Sequence, residues 1–209
     1  MVPAAATPPR WEWRAFGDAF PALDAALDAV PCDLRASSEI YIVCAEPDVN
    51  AKVRGGQIDV KQRLRVEDGL ELWSPVLKAP FPLDQHVIAA AFRLWRLPLP
   101  QLSRAAYTLP QFLDDVVAAA PGLVAVDVAK ERRGASLDGS FVEVAALTVR
   151  GEAVRTAGIE AEDPERVRRA VRTLGLSSHA NESYPQALRR MLRAHPAPQQ
   201  DSVREGASP

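Results

Sequence analysis

Between Val49 and Val66 the chain reads VNAKVRGGQIDVKQRLRV, and no other stretch restricts the fold as tightly. The Gly55-Gly56 dipeptide tolerates the positive φ angles of a tight hairpin, so two strands are expected to meet there. Successive side chains on a strand point to opposite faces. Lys52 and Arg54 then share one face of the first strand. On the second strand Gln57, Asp59, Lys61, Arg63 and Arg65 share a face, while Ile58, Val60, Leu64 and Val66 share the other. Only Gln62 breaks the alternation. Two explanations fit a hairpin that is apolar on one side and cationic on the other. It is half-buried with a solvated polar side, or it is part of a barrel or groove whose concave wall is basic and whose apolar side is covered by helices. The second would hold a polyanion.

The rest of the chain sets limits on both. Its 209 residues suffice for one large domain or two small ones. A formal net charge of −2 argues against a duplex nucleic-acid binder, which carries a net basic footprint, so any anion site must be local. Cys32 and Cys44 make no disulfide framework, and reduced thiols in a cytosol are the expectation. The start MVPAAATPPR has neither the basic residues nor the apolar run of a signal peptide. No stretch approaches the roughly 20 apolar residues of a membrane span. A cytoplasmic protein without membrane contact is expected.

Read in order, residues 1–9 form a flexible start, 10–194 a single domain and 195–209 a disordered tail low in hydrophobes. Arg10 to Phe16 alternates charged and apolar residues as a half-buried strand does. Asp18 is placed as the N-cap of a helix to about Val30. Strands are expected at Glu39 to Ala45, in the hairpin above and at Leu70 to Val76. Helical spacing follows over Leu83 to Trp95 and Pro110 to Ala120. Leu123 to Arg133 and Phe141 to Arg150 read as a hairpin around Asp138-Gly139, with Glu152 to Glu162 as a further strand. Asp163-Pro164-Glu165 marks a helix start, and a last helix spans roughly Ser183 to Arg193.

Several chemistries are excluded by missing signatures. The chain has no phosphate-cradling Gly-Lys-Ser/Thr loop, no Gly-x-Ser-x-Gly elbow, no His-Glu-x-x-His and no Cys-x-x-Cys. His86, His179 and His195 stand isolated. What remains is a set of charged residues on strands. Lys52 with Arg54, Lys61 with Arg63 and Arg65, Lys130 with Arg132, and Glu160 with Glu162 each share a strand face; Glu12, Glu39, Asp59 and Glu143 are further strand carboxylates. A closed barrel could turn these inward, with cations holding phosphate oxygens and carboxylates holding a hard divalent ion. The alternative is a set of solvated faces with ion pairs of little energetic weight.

The order of these pieces resembles the CYTH superfamily, the triphosphate tunnel metalloenzymes. Glu12 and Arg14 stand where the family has its second first-strand glutamate and its lysine. Lys52-x-Arg54 is similar to the first basic pair, and Lys61, Arg63 and Arg65 to the next basic strand. Lys130 and Arg132 match the basic strand after the central helices, Glu143 an acidic position beyond it, and Glu160 with Glu162 the late carboxylate pair. Asn181-Glu182-Ser183-Tyr184 ahead of Gln186-Ala187-Leu188 resembles the closing-helix motif. The likeness runs from about Arg10 to Leu192. It implies an α+β fold with an antiparallel barrel or tunnel of about eight strands flanked by helices. It further implies phosphate binding by Lys52, Arg54, Lys61, Arg63, Arg65, Lys130 and Arg132, and Mg²⁺ or Mn²⁺ held by Glu12, Glu143, Glu160 and Glu162. Two positions depart from the pattern. Arg10 replaces the leading glutamate, and Arg14 replaces lysine, which is not a conservative exchange in a tight site.

Three readings therefore stand open. The chain is a metal-dependent hydrolase or related phosphoryl- or nucleotidyl-processing enzyme acting on a triphosphate-bearing substrate. Or it is a non-catalytic polyphosphate- or nucleotide-binding module that has lost the metal. Or it is a structural, partner-binding domain, for which a homodimer is one expected assembly. A small triphosphate or polyphosphate is the expected ligand, and nucleic acid is not.

Overall fold

The computed structural model describes residues 7–194. The expected flexible start and disordered tail fall outside that range, except for residues 7–9. The hairpin forms as the sequence requires: β3 (Val49–Arg54) pairs with β4 (Gln57–Glu67), and Gly55 and Gly56 turn at φ +56° and +72°. Around it the chain builds β1 (Arg10–Gly17), β2 (Asp33–Val43), β5 (Leu70–Pro80), the two-residue strands β6 (Leu83–Asp84) and β7 (Ala106–Tyr107), β8 (Val124–Leu137), β9 (Ser140–Val149) and β10 (Glu152–Ala161). The eight long strands close into one antiparallel barrel in the order β1-β10-β9-β8-β2-β3-β4-β5. β6 and β7 form a separate two-stranded ladder. The expected α+β barrel is the observed fold.

Helices cover the outer wall because the outward strand faces are apolar. α1 (Pro21–Asp28) and α4 (Pro164–Thr173) bury Leu23, Leu27, Val167 and Val171 against Trp11, Trp13 and Ala15 of β1 and Val142 and Ile159 of the neighbouring strands. α2 (Gln85–Trp95) and α3, which begins at Leu109–Gln111 and continues as π-helix over Phe112–Val117, cover the apolar face of the hairpin. There Ile58 and Val60 meet Ile88, Phe92, Trp95, Phe112 and Val116. Burying each side chain of this size contributes roughly 1.5–3 kcal/mol. One helix start follows its sequence signal, Asp163 Oδ1 accepting from Glu165 N at 2.9 Å, and Asp84, which carried no such expectation, caps α2 by accepting from Val87 N at 2.8 Å. The first helix departs from expectation. Asp18 does not cap it; α1 starts at Pro21, a proline suited to a first helical turn, and ends at Asp28.

α5 (Tyr184–Ala194) does something different. Tyr184 and Leu188 pack against Val43, Val126, Val128, Leu147 and Val149, with Phe16, Val154 and Met191 at the margin. Strand parity places those valines and leucines on the inner wall, in register with the charged residues farther along the same strands. α5 thus stoppers one end of the barrel with an apolar layer, and the charged inner residues occupy what is left.

Candidate functional site: a charged cavity inside the barrel

A cavity of about 180 Å³ lies within the ring, lined from eight elements of the chain. β1 supplies Glu12 and Arg14, β2 Tyr41, β3 Asn50, Lys52 and Arg54, and β4 Asp59 and Lys61. β8 gives Lys130 and Arg132, β9 Phe141 and Glu143, β10 Gly158 to Glu160, and the start of α5 Tyr184. Six cationic and four acidic side chains face it, and Glu39, buried behind Lys52 and Arg54, leaves an excess of one positive charge.

Most of these charges are held by a partner across the strands. Glu143 Oε1 accepts from Arg14 Nη2 at 2.8 Å and from Lys130 Nζ at 3.1 Å, and Arg132 Nη1 stands 3.5 Å from Oε2. Glu39, 1% exposed, takes Lys52 Nζ at 3.0 Å and Arg54 Nη1 at 3.2 Å. Lys61 Nζ donates to Glu12 Oε1 at 2.6 Å. Arg14 is fixed on every side: Nη1 donates to Thr156 Oγ1 at 3.2 Å, and the guanidinium lies 4.6 Å from the centroid of the Tyr184 ring. The backbone N–H of Arg14 donates to Asn181 Oδ1 at 2.8 Å. Gly158 makes room for it, since a Cβ there would come within 2.5 Å of Arg14 Nη2.

These surroundings shift the titrations. Burial would raise the Glu143 carboxyl, but Arg14 and Lys130 outweigh it and hold the group far below the usual carboxylate range. Burial likewise opposes the charge on Glu39, and Lys52, Lys130 and Arg54 together keep it depressed. The Lys52 ammonium is pushed down to about 8 by burial; Glu39 resists the shift, while Arg54 and Lys130 add to it. Burial pushes the Tyr184 hydroxyl up, so it is a neutral donor at neutral pH.

The structure gathers Lys52, Arg54, Lys61, Lys130, Arg132, Glu12, Glu143 and Glu160 around one cavity. It leaves three of the expected residues outside. Arg63 is engaged by Asp48, at 2.9 Å from Nε and 2.6 Å from Nη2, and by Glu71, whose other oxygen accepts from Trp73 Nε1. Arg65 lies over the outer Trp11 ring, 4.8 Å from its centroid, beside Glu67. The cause is a bulge: the β4–β5 register shifts between Arg63 and Arg65, and one extra residue turns the next side chain outward. Glu162 lies exposed beyond the end of β10. Conversely, Glu39, Asp59 and Arg14 belong to the site, though the sequence singled them out only as strand charges or a departure from pattern. Glu39 shares a strand face with Tyr41, which was a usable signal. Tyr184 was marked only through the closing-helix motif, and Asn50 and Phe141 carried no signal.

The donor set bears on the expected Mg²⁺ or Mn²⁺. Among the described residues no three His, Cys, Asp or Glu side chains converge to hold an ion. Glu143 is taken by three cations, Glu12 by Lys61, and Arg10 Nη1 stands 3.8 Å from Glu160 Oε1. Of these expected ligands only Glu12 and Glu160 sit directly opposite each other in register, and Glu12 also faces Glu71 across β1–β5. These residues do not fit a divalent ion bound by the protein alone.

No family model and no curated protein matches the chain. Solved structures do. A conserved hypothetical protein from Pyrococcus furiosus aligns over 84% of this chain and 98% of its own at 13% identity and a TM-score of 0.48. A putative adenylate cyclase from Bacillus halodurans aligns over 84% and 95% at 12% identity and a TM-score of 0.47. A putative adenylyl cyclase from Hippeastrum, described as having a dominant triphosphatase activity, aligns over 80% and 88% at 14% identity and a TM-score of 0.44. The closed eight-strand antiparallel ring with its helical cover and charged interior is the architecture that the resemblance to the CYTH superfamily implied. No helix among the described residues is long and apolar enough to cross a membrane.

Proposed function

We propose that the chain binds the phosphate moiety of a small triphosphate-bearing compound, or a short linear polyphosphate, inside the barrel. One observation carries this reading. The wall of the cavity holds six cations, and two buried donors on it, Arg132 Nε and Tyr184 Oη, have no hydrogen-bond partner. A buried donor left unmatched is costly, and anionic oxygens entering the cavity would satisfy both. Asn50 Oδ1 is a third unpartnered atom there, an acceptor suited to a hydroxyl or water. Arg10 beside Glu160 adds a resident positive charge at the β1–β10 edge, so binding needs no metal. Calorimetry with tripolyphosphate in the presence of a chelator tests this: saturable binding is expected, and no heat with or without Mg²⁺ overturns it.

Hydrolysis is the second reading, favoured by the Glu12–Glu160 register pair. A triphosphate that brings its own Mg²⁺ or Mn²⁺ as part of the substrate needs only one or two protein carboxylates. Glu12 and Glu160 would face such a complex, whose ion would polarise phosphorus. Phosphate release from tripolyphosphate, thiamine triphosphate or ATP with either ion is the measurement. No release at high protein concentration removes this reading and leaves the binding module. A cytoplasmic location belongs to the same proposal.

The pH dependence follows from Lys52. A base with a depressed pKa loses its charge as pH rises through that value, here about 8. Tripolyphosphate affinity is therefore expected to fall several-fold between about pH 7 and about pH 9, a range where an ordinary lysine at about 10.4 stays charged. In Lys52→Arg the fall should shrink, because guanidinium does not titrate there, leaving only the part due to Lys130, whose ammonium burial also pushes down. A flat wild-type profile contradicts the assignment.

A further inference from the structure

A second enclosed space lies outside the barrel, between α4 and the β8–β9 turn. We infer that this cleft binds a compact amphiphilic monoanion, an apolar body bearing a single carboxylate. The cleft has a volume of about 200 Å³, below the range of about 300–1,000 Å³ for drug-sized sites, so it admits only a compact ligand. Its floor is apolar: Ala26 of α1, Leu137 at the end of β8, and Ala170 and Leu174 along α4. Such a floor takes hydrocarbon and gives phosphate nothing.

Three polar groups set the head of the ligand. Ser140 is 1% exposed and lines the cleft, yet its hydroxyl has no hydrogen-bond partner. A native fold rarely buries such a group unmatched unless something meets it. Arg166 and Arg169, one helical turn apart, stand at the edge. Arg166 lies across the turn, and only a glycine allows this: a Cβ on Gly139, whose φ is +76°, would come within 1.9 Å of Arg166 Nη1. Its Nε is 3.8 Å from Asp163 Oδ2, whereas Arg169 forms no ion pair among the described residues. Asp138 also lines the cleft and Asp163 pairs with Arg166, so Arg169 is the guanidinium left without an ion pair among the described residues, and the balance is a partner for a single negative charge. That balance suits a monoanion and disfavours the polyanion proposed for the barrel. No residue of the barrel cavity is involved, so the two sites stand or fall separately.

Octanoate is the probe, titrated into the full chain by calorimetry and followed at the Ser140 and Ala170 amides by NMR. Saturable binding with shifts at both amides is expected, and 1-octanol, the neutral isostere, should bind at least about tenfold more weakly. Arg169→Gln, an exposed change that the fold tolerates, should weaken octanoate about fivefold or more, and Ala170→Trp should fill the cleft and abolish binding. Tripolyphosphate binding should be unchanged in Arg169→Gln. No saturable octanoate binding at millimolar concentration, equal affinity for 1-octanol, an unaffected Arg169→Gln, or displacement of octanoate by tripolyphosphate each overturns the inference.

Discussion

Glu143→Gln should cost about 3–5 kcal/mol of folding stability at neutral pH, the range for removing one partner of a buried charge cluster, and should tighten tripolyphosphate binding. Glu143 is 6% exposed and is the common acceptor of Arg14, Lys130 and Arg132, three cations drawn from β1 and β8. Without the carboxylate they face one another across a poorly solvated space. The carboxyl sits far below its ordinary range, because Arg14 and Lys130 more than offset burial. A carboxylate with a depressed folded pKa contributes stability above the unfolded value of about 4.3 and loses it as pH falls toward the folded value. The deficit of the variant should therefore be full at pH 7 and shrink only in acid. A polyanion in the cavity restores the missing negative charge, and a ligand that binds the native state alone stabilises it as RT ln(1 + [L]/Kd). Tripolyphosphate should thus raise the Tm of Glu143→Gln more than that of the wild type. Urea denaturation at pH 7 with and without the ligand reads both effects. A loss below about 1 kcal/mol, or a smaller ligand-induced shift than in the wild type, would show that the three cations do not depend on this carboxylate.

The same cluster shows why part of the site was legible in the sequence and part was not. Parity along a strand is local information. It was enough to put Lys52 with Arg54, and Lys130 with Arg132, on common faces, and Gly55-Gly56 and Asp138-Gly139 fixed where the chain turns, each at positive φ. The order of the basic and acidic strands carried the fold through resemblance. What sequence could not supply was pairing across the ring. Arg14 and Glu143 are 129 residues apart and meet only because β1 and β9 both flank β10. Parity also fails silently at a bulge. Arg63 and Arg65 look equivalent in the sequence, yet the extra residue between them sends Arg65 to the outer Trp11. β2 begins at Asp33 rather than Glu39 because it pairs with β8 along its whole length, although DLRASS has little intrinsic strand preference. The stopper at one end depended on α5 packing onto inner valines that belong, by sequence alone, to ordinary strands.

Removing two cations from separate strands should have the largest effect on ligand binding. Lys61→Met with Lys130→Met is expected to weaken tripolyphosphate binding by about 10²–10⁴-fold, since each charge-assisted contact is worth about 1.5–3 kcal/mol. The two lysines approach from β4 and β8, three strands apart around the ring, so one phosphate chain can span both. Lys130 should carry the greater share. Its side chain is 9% exposed against 33% for Lys61, and a contact shielded from water is stronger. The fold should lose much less than in Glu143→Gln, because Glu143 keeps Arg14 and Arg132 when Lys130 is gone. Methionine fills most of the space of the lysine stem, which limits cavity effects. Arg65→Met is the matched control: it removes a cation of the same strand that lies on the outer wall, and affinity should not change. Calorimetry at pH 7 on the three proteins decides the matter. If the double variant binds within about threefold of wild type, or if Arg65→Met is equally impaired, the anion is held by surface charge and not by the interior of the barrel.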